Sequence, residues 1–211
     1  MSWYTCPRPQ QAHGLSPFFV TLPACAEVPA QDTEHRGRST IVIERLLFRL
    51  TARLPCRFID GEQGEPYLER YYLLGAFGWH AYLHRFVDSD PDRGLHDHPW
   101  DRAVSLVLAG GYDELRADDG DVERTRRRQI RPGGLNFLRG ADFHRIVLRA
   151  GRPAWTLFLH GPRVKGWGFN QGGRFRSMAR DGSDFRHRDW WESAPSGREM
   201  RATRESVSEP A

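Results

Sequence analysis

The sequence predicts an all-β domain, in which short antiparallel strands form a sandwich or a small barrel. From Pro66 to Pro162, short runs of β-branched and aromatic residues are separated by turn residues. The pairs Gly110-Gly111 and Gly133-Gly134 predict close turns, and Asp-Asp-Gly-Asp at 118–121 predicts a hairpin, because Asp-Gly tolerates a positive φ. The chain of 211 residues is long enough to bury a core without disulfides.

The first segment, residues 1–38, is rich in Pro, Gln and Ala, lacks periodicity and is predicted to be an extended arm. Within it, Leu15–Ala26 weakly resembles a secretory signal that ends in Ala24-Cys25-Ala26. Two prolines interrupt this segment and little positive charge precedes it. An arm that packs on the domain is therefore the favoured interpretation.

Residues 39–65 are predicted to form a helix and a lead-in that pack on the outside of the barrel. Ser39 or Thr40 can cap the helix, and Pro55 ends it because a prolyl nitrogen has no hydrogen to donate. Apolar side chains recur at helical spacing on one face: Ile43, Leu46, Leu47, Leu50 and Leu54.

The barrel is predicted to occupy residues 66–170, and residues 171–211 are a polar, arginine-rich extension. The extension has Trp190-Trp191 as an aromatic anchor and is predicted to be disordered beyond about Ser193. The predicted strands are Tyr67–Leu74, Trp79–Val87, the segment around His96–His98, Val104–Leu108 running on to Leu115, Val122–Ile130, Gly134–Leu138, His144–Leu148 and Trp155–His160.

Composition and charge argue against several classes of partner. The net charge of +4 comes almost entirely from arginine, and acidic residues are interspersed, so no nucleic-acid partner is expected. The basic run Arg124–Arg128 lacks interleaved aromatics and is interpreted as a solvated strand edge. No segment approaches the roughly 18 apolar residues of a membrane span. Three cysteines, too few for a disulfide framework, favour a reducing cytoplasm: Cys6, Cys25 and Cys56.

Three histidines predict a metal site. His96 and His98 are one residue apart on an extended segment, so their side chains point the same way. His144 follows the turn Arg131-Pro132-Gly133-Gly134 and begins a later strand. Three nitrogen ligands on one side of a metal leave positions open for water, oxygen or substrate. The alternative is that these histidines cap turns or pair with carboxylates such as Asp97 or Asp142.

The order of these features over roughly residues 66–170 resembles the cupins, a superfamily of small jelly-roll barrels. His96 and His98 match the His-x-His pair of the first cupin motif, and Gly110 matches its glycine. Pro132, Gly133 or Gly134, and His144 match the second motif, a Pro-x-Gly-like turn followed by a histidine. The resemblance implies a cupin-type jelly-roll β-barrel, to which the sequence adds an N-terminal helix and extended terminal arms.

The chain departs from the cupin pattern at Ala103, which stands where cupins usually carry a glutamate ligand. Asp101 and Glu114 are the nearest carboxylates, and whether either joins the metal is left open. A set of three histidines is similar to that of the thiol dioxygenases, the cupin branch in which three histidines hold ferrous iron. The resemblance therefore implies Fe(II), with Zn, Ni, Mn or Cu as alternatives.

Further candidates surround this site. His84 and His160 are the candidate catalytic residues: His84 as a fourth ligand or a proton shuttle, and His160 at the barrel mouth. The alternative for both is a hydrogen-bonded structural histidine. Arg70 falls where thiol dioxygenases carry an arginine that binds the substrate carboxylate, and Arg85 is a competing choice. Trp100 is expected to wall a substrate pocket or to belong to the core.

The sequence thus predicts a metal-dependent cupin enzyme, with an iron(II) oxygenase or dioxygenase of a small amino-acid- or thiol-like metabolite as the leading hypothesis. Its co-substrate would then be O2. A metal-dependent isomerase or lyase, or a non-catalytic small-ligand-binding cupin, is the alternative, because one ligand set serves several chemistries. A homodimer formed through the N-terminal arm is a further possibility.

Overall fold

The computed structural model describes residues 30–61, 63–149, 152–178 and 189–208. The predicted arm up to residue 29, the signal-like segment Leu15–Ala26, Cys6 and Cys25 lie outside these residues. Two helices flank twelve strands: α1 (Ala30–Thr51), β1 (Cys56–Asp60), β2 (Pro66–Ala76), β3 (Trp79–Phe86), β4 (Leu95–His96), β5 (Arg102–Ala109), β6 (Tyr112–Asp118), β7 (Asp121–Ile130), β8 (Leu135–Arg139), β9 (His144–Leu148), β10 (Ala154–His160), β11 (Gly168–Gln171), β12 (Arg174–Ser177) and α2 (Gly197–Ser208).

The strands form two antiparallel six-stranded sheets. The first has the order β1-β2-β3-β10-β5-β8, and the second has the order β12-β11-β4-β9-β6-β7. The eight strands from β3 to β10 cross between the two sheets, and β10 returns to lie beside β3. This is the strand order of a jelly roll, so the predicted all-β, jelly-roll fold class is confirmed.

Two buried clusters fill the space between the sheets. One cluster includes Phe86, Val107 and Tyr112. The other includes Tyr82, Trp100, Leu138 and Phe158 together with Ala103. Buried and partly buried residues alternate along β5 after the exposed Arg102, with the period of two expected of a strand that has one face in the core.

The predicted hairpin at 118–121 is confirmed. Asp118 pairs with Asp121 across the turn, while Asp119 has a φ of 48° and Gly120 a φ of 84°. Two consecutive positive φ values are those of a type I′ turn, whose twist suits antiparallel strands.

The helix α1 differs from its prediction at its beginning. It starts at Ala30 instead of at Ser39 or Thr40, and it ends at Thr51, before Pro55. The first helical turns are polar, so they carry no apolar periodicity that could have revealed them. The second half of α1 packs on the outer face of the first sheet, where Leu47 joins Leu83 and Trp155.

The C-terminal region was predicted to be disordered, but the structure has the helix α2 there. The helix begins with a capping box, in which the Ser196 backbone N–H donates to Glu199 Oε2 and the Glu199 N–H donates to Ser196 Oγ. From α2, Arg201 donates a 2.8 Å hydrogen bond to the Tyr71 hydroxyl. Hydrogen bonding therefore stabilises a helix that has little apolar surface to bury.

Three short strands were not predicted: β1, β11 and β12. β1 extends the first sheet beside β2, and the β11–β12 hairpin extends the second sheet beside β4. The predicted domain boundary at residue 170 falls within β11. In the described part of the chain, neither helix has the length and hydrophobicity that a membrane span requires.

Candidate metal centre

The structure brings the three predicted histidines together. His96 is the second residue of the short strand β4, and it lies opposite His144, the first residue of β9. His98 follows two residues later on the same side of the chain. One ring nitrogen from each histidine lies within 4.8 Å of the others. The period of two along an extended chain thus places both members of His-x-His on one side.

The positions of these nitrogens fit a metal ion. His98 Nε2 lies 2.8 Å from His144 Nε2. Neighbouring ligands at a normal metal–nitrogen distance around an octahedral ion are about 3 Å apart, so both nitrogens can bind one ion. Burial lowers the pKa of His96 and of His98 well below the ordinary value. Both rings are therefore neutral at physiological pH, which is the form that binds metals.

A buried carboxylate selects the nitrogen that His144 presents. Glu114 is only 1% exposed, and its Oε1 lies 2.9 Å from His144 Nδ1. Burial alone would raise the pKa of Glu114, but His144, Asn136 and Arg116 together lower it to about 2. Because an ionised carboxylate only accepts hydrogen bonds, Nδ1 carries the proton and Nε2 presents its lone pair.

Neither of the two nearest carboxylates, Asp101 and Glu114, joins the three histidines as a ligand. The Asp101 side chain is 58% exposed and pairs with Arg102, away from the histidines. Glu114 contacts the far nitrogen of His144, so it supports a histidine and is not part of the three-nitrogen cluster. Ala103 is buried beside Trp100 and Phe158, in an apolar cluster. Among the described residues, the site is therefore a set of three histidines without a carboxylate.

Asp90 is a site residue that the sequence reasoning missed. It lies between β3 and β4, where its Oδ2 accepts a 2.7 Å hydrogen bond from the Ile146 N–H. The same oxygen is 3.8 Å from His96 Nδ1. Asp90 therefore attaches the loop to β9 and faces the back of the His96 ring. The sequence around Asp90 is typical of a polar turn. The role of Asp90 becomes visible only when the loop is seen beside β9, which is distant in the sequence.

Asp97 holds the metal-binding segment from behind. Its side chain points away from the two neighbouring histidines, as alternation requires. Its Oδ1 accepts a 2.7 Å hydrogen bond from the Gly168 N–H of β11, and its Oδ2 pairs with Lys165. These contacts fix the position of a strand that is only two residues long.

The histidines open onto a cavity of about 460 Å³. This lies within the size range of small-molecule sites. Of the other predicted site residues, Arg70, His84 and Trp100 also line it. Its remaining charged residues are Arg57, Arg93, Arg163, Asp60 and Asp90.

Arg70 and His84 form a buried pair on adjacent strands. Arg70 Nε donates a 3.0 Å hydrogen bond to His84 Nε2, and the guanidinium lies over the Tyr82 ring. Burial, and then the charge of Arg70, lower the pKa of His84 well below the ordinary value. His84 is thus a neutral acceptor that orients Arg70, and it lies outside the three-nitrogen cluster.

The placements of Arg85 and His160 do not fit the predicted roles. Arg85 lies on the opposite face of β3, where it pairs with Glu69 at 2.7 Å and covers the Phe48 ring. His160 does not line the cavity; its Nδ1 donates to the Gly161 carbonyl at 2.8 Å. Its ring stacks on Trp100 at 4.2 Å, and Trp100 in turn stacks on His98 at 4.7 Å. Arg85 directly follows His84 on β3, and successive side chains of a strand point to opposite faces of the sheet. Arg85 therefore points away from the cavity that His84 lines.

The comparisons with known proteins find cupin-like folds at low similarity. No family model matches the chain, and no curated protein matches it. A cupin-2 domain protein from Rhodospirillum rubrum is 12% identical, with a TM-score of 0.46, over 66% of this chain and 85% of its own. Hydroxypropylphosphonic acid epoxidase from S. wedmorenis is 14% identical, with a TM-score of 0.39, over 50% of this chain. The match spans only 55% of that epoxidase chain, and neither similarity is close enough to support an inference about activity.

Proposed function

We propose that this protein is a metal-dependent cupin-type enzyme, with Fe(II) as the expected ion, that acts on a small anionic metabolite. One observation carries the proposal: three neutral imidazole nitrogens converge beside a cavity that also contains Arg70. Among the described residues, no carboxylate forms an ion pair with this arginine. A buried guanidinium without a counter-ion is a site for a carboxylate from solution.

In this proposal each residue has a distinct task. His96, His98 and His144 hold the ion, and Glu114 and Trp100 keep two of their rings in place. Arg70 binds the acidic group of the substrate, and His84 orients Arg70. The ion, when bound, supplies Lewis-acid polarisation or, as Fe(II), one-electron chemistry with O2.

The charge of the ligand set favours an anionic substrate as well. Three neutral ligands leave the full charge of a divalent ion uncompensated, and Arg70 adds one further positive charge. An amino-acid- or thiol-like metabolite carries anionic groups that could bind both the ion and Arg70. The buried aromatic rings beside the histidines exclude water from one wall of the cavity.

Metal analysis combined with oxygen uptake tests this proposal. Metal-free protein is loaded with Fe(II) under nitrogen, and metal content is measured for the wild type, His96→Ala and a His80→Gln control. The expected result is one ion per chain, lost in His96→Ala and kept in the control. Oxygen uptake with a panel of amino acids and thiols then separates an oxygenase from an isomerase or lyase. Absence of stoichiometric metal in the wild type would overturn the proposal.

A further inference from the structure

The outer face of the first sheet is apolar across three neighbouring strands. Ser105 of β5, Asn136 of β8 and Phe158 of β10 line the cavity, so the side chains that alternate with them point outward. These outward side chains form two adjacent rows across β10, β5 and β8: Leu157, Leu106 and Leu135 in one row, and Leu159, Val104 and Phe137 in the next. The six residues, called the apolar face below, include no charged or polar side chain.

The helix α1 covers the first sheet only beside this face. On β10, Trp155 is fully buried beneath α1, with its ring centre 5.3 Å from that of Phe48. Two residues further along β10, Leu157 is 36% exposed, and on β8 Leu135 is 50% and Phe137 65% exposed. The apolar surface of the sheet therefore continues beyond the helix, where no other described part of the chain buries it.

The helix itself extends the apolar surface on its side towards β5. Phe48 of α1 lies under the Arg201 guanidinium of α2, and α2 contacts β1, at the other edge of the sheet. Because α1 also contacts β5, the flank of the helix opposite Phe48 faces the apolar face. This flank carries four apolar side chains that are 39% to 66% exposed: Val42, Ile43, Leu46 and Leu50.

The outer face of the second sheet is charged instead. Asp113 of β6 pairs there with Arg127 of β7 and with Arg149, and Arg145 of β9 pairs with Asp92. Polar side chains on the outer face are typical of an antiparallel sheet with one face in water. The part of the first sheet formed by β10, β5 and β8 has apolar side chains on both faces, which is typical of a layer that is covered on both sides.

We infer that a second copy of this chain covers the apolar face, in a two-fold symmetric dimer whose first sheets and α1 helices pack against each other. The seven most exposed side chains of the face and of α1 present roughly 700 Å², close to the roughly 800 Å² that each partner buries in a standard interface. Two copies also bring uncharged surfaces together, so the net charge of +4 on each chain does not oppose the contact. The contact uses the sheet, not the N-terminal arm.

The proposed contact lies on the reverse of one wall of the cavity. Phe158 and Asn136 line the cavity, and each is next in sequence to a residue of the apolar face, Leu157 or Phe137. His96 and His144 belong to the second sheet, away from this contact. The dimer therefore supports the cavity wall without using the proposed metal ligands, and the inference does not depend on a bound ion.

Sedimentation equilibrium of the full chain over a wide range of concentrations tests the inference. The wild type is expected to be a dimer with a micromolar or tighter dissociation constant. Phe137→Lys on β8 and Leu46→Lys on α1 should each weaken it at least about 100-fold, because a two-fold interface contains every substitution twice. Phe175→Lys is the matched control, since Phe175 is 53% exposed on β12 of the other sheet. Circular dichroism verifies that each variant is folded.

Each other outcome overturns the inference in a recognisable way. A monomeric wild type excludes the second copy; if Phe137→Lys then lowers the melting temperature more than Phe175→Lys does, another segment of the same chain covers the face. A dimer that withstands both substitutions uses a different surface, and one that only Phe137→Lys dissociates pairs through the edge of β8. Phe137→Ala adds no charge, so it should weaken the dimer even if the lysine variants fail to fold.

Discussion

The single carboxylate of Glu114 determines which nitrogen of His144 faces the other histidines. It accepts from His144 Nδ1, and Asn136 Nδ2 donates to the same oxygen at 2.7 Å. Asn136 comes from the opposite sheet, since β8 belongs to the first sheet and β6 to the second. One buried acid therefore connects a proposed metal ligand to both layers of the barrel.

We expect Glu114→Gln to lower metal affinity by about 10- to 100-fold, the usual effect of removing a carboxylate behind a ligating histidine. The amide keeps the shape of the side chain but loses the charge that fixes the proton on Nδ1. Competition with a chromophoric chelator measures the affinity. Asp113→Asn is the control, because the neighbouring carboxylate pairs with Arg127 and Arg149. An equal effect of both variants would contradict the role of Glu114.

At the scale of elements, two turns depend on glycine for different physical reasons. Gly120 has a φ of 84° and open space around its Cα, so the type I′ hairpin between β6 and β7 needs only its conformation. Gly110 has a φ of 75°, and a Cβ there would also lie 2.2 Å from the Pro153 carbonyl oxygen. Position 110 thus requires glycine for two reasons: its φ is positive, and a side chain there would collide with the chain at Pro153.

Gly120→Ala should lower the free energy of unfolding by about 1 kcal/mol, the cost of a left-handed backbone for a residue with a side chain. Gly110→Ala should cost clearly more, because backbone atoms around Pro153 must also move. Urea denaturation of both variants measures the difference. Equal destabilisation would show that the Gly110–Pro153 approach relaxes freely.

The elements that the sequence predicted correctly are those with a strong local pattern. β9 was predicted with the observed bounds, and the Asp-Gly turn was predicted with its conformation. β1, β11 and the polar beginning of α1 carry no such pattern, so only tertiary pairing reveals them. The capping box from Ser196 to Glu199 was a visible signal for α2 that the composition of the segment obscured.

The residues of the candidate site also fall into those that a local sequence pattern predicts and those that only the fold reveals. The spacing of His96 and His98 was sufficient to predict their common direction, and the later turn was sufficient to add His144. Glu114 and Asp90 reach the histidines through the pairing of β6 with β9 and of a loop with β9, which no single segment encodes. Arg85 was predicted as a substrate-binding residue because the sequence of β3 did not show which of its two faces points into the barrel.

On the scale of the whole molecule, Cys56 lies where both helices meet the first sheet. Its side chain is buried with Leu47 of α1 and Tyr71 of β2, and its N–H donates to Pro195 before α2. Burial, and then the charge of Glu69, raise the pKa of the thiol to about 12. Exposure of this thiol requires these packed elements to separate.

We therefore expect Cys56 to resist alkylation at pH 8, where only a fraction on the order of 10⁻⁴ of the thiol is ionised in the folded protein. In a Cys6→Ser, Cys25→Ser background, mass spectrometry measures iodoacetamide labelling over time. Labelling should become fast only in denaturant, in step with the loss of circular dichroism. Rapid labelling of the folded protein would show that the helices open locally.

The ion pair between Lys165 and Asp97 has a practical consequence, because Lys165 is the only lysine of the chain. An amine-directed dye therefore has one side-chain target besides the α-amino group. That target contacts the residue between His96 and His98, so a fluorophore there sits directly behind the segment that the ion would bind. Trp100, stacked on His98, is an intrinsic donor for energy transfer to it. The scarcity of lysine thus provides a natural attachment point for an optical reporter of site occupancy.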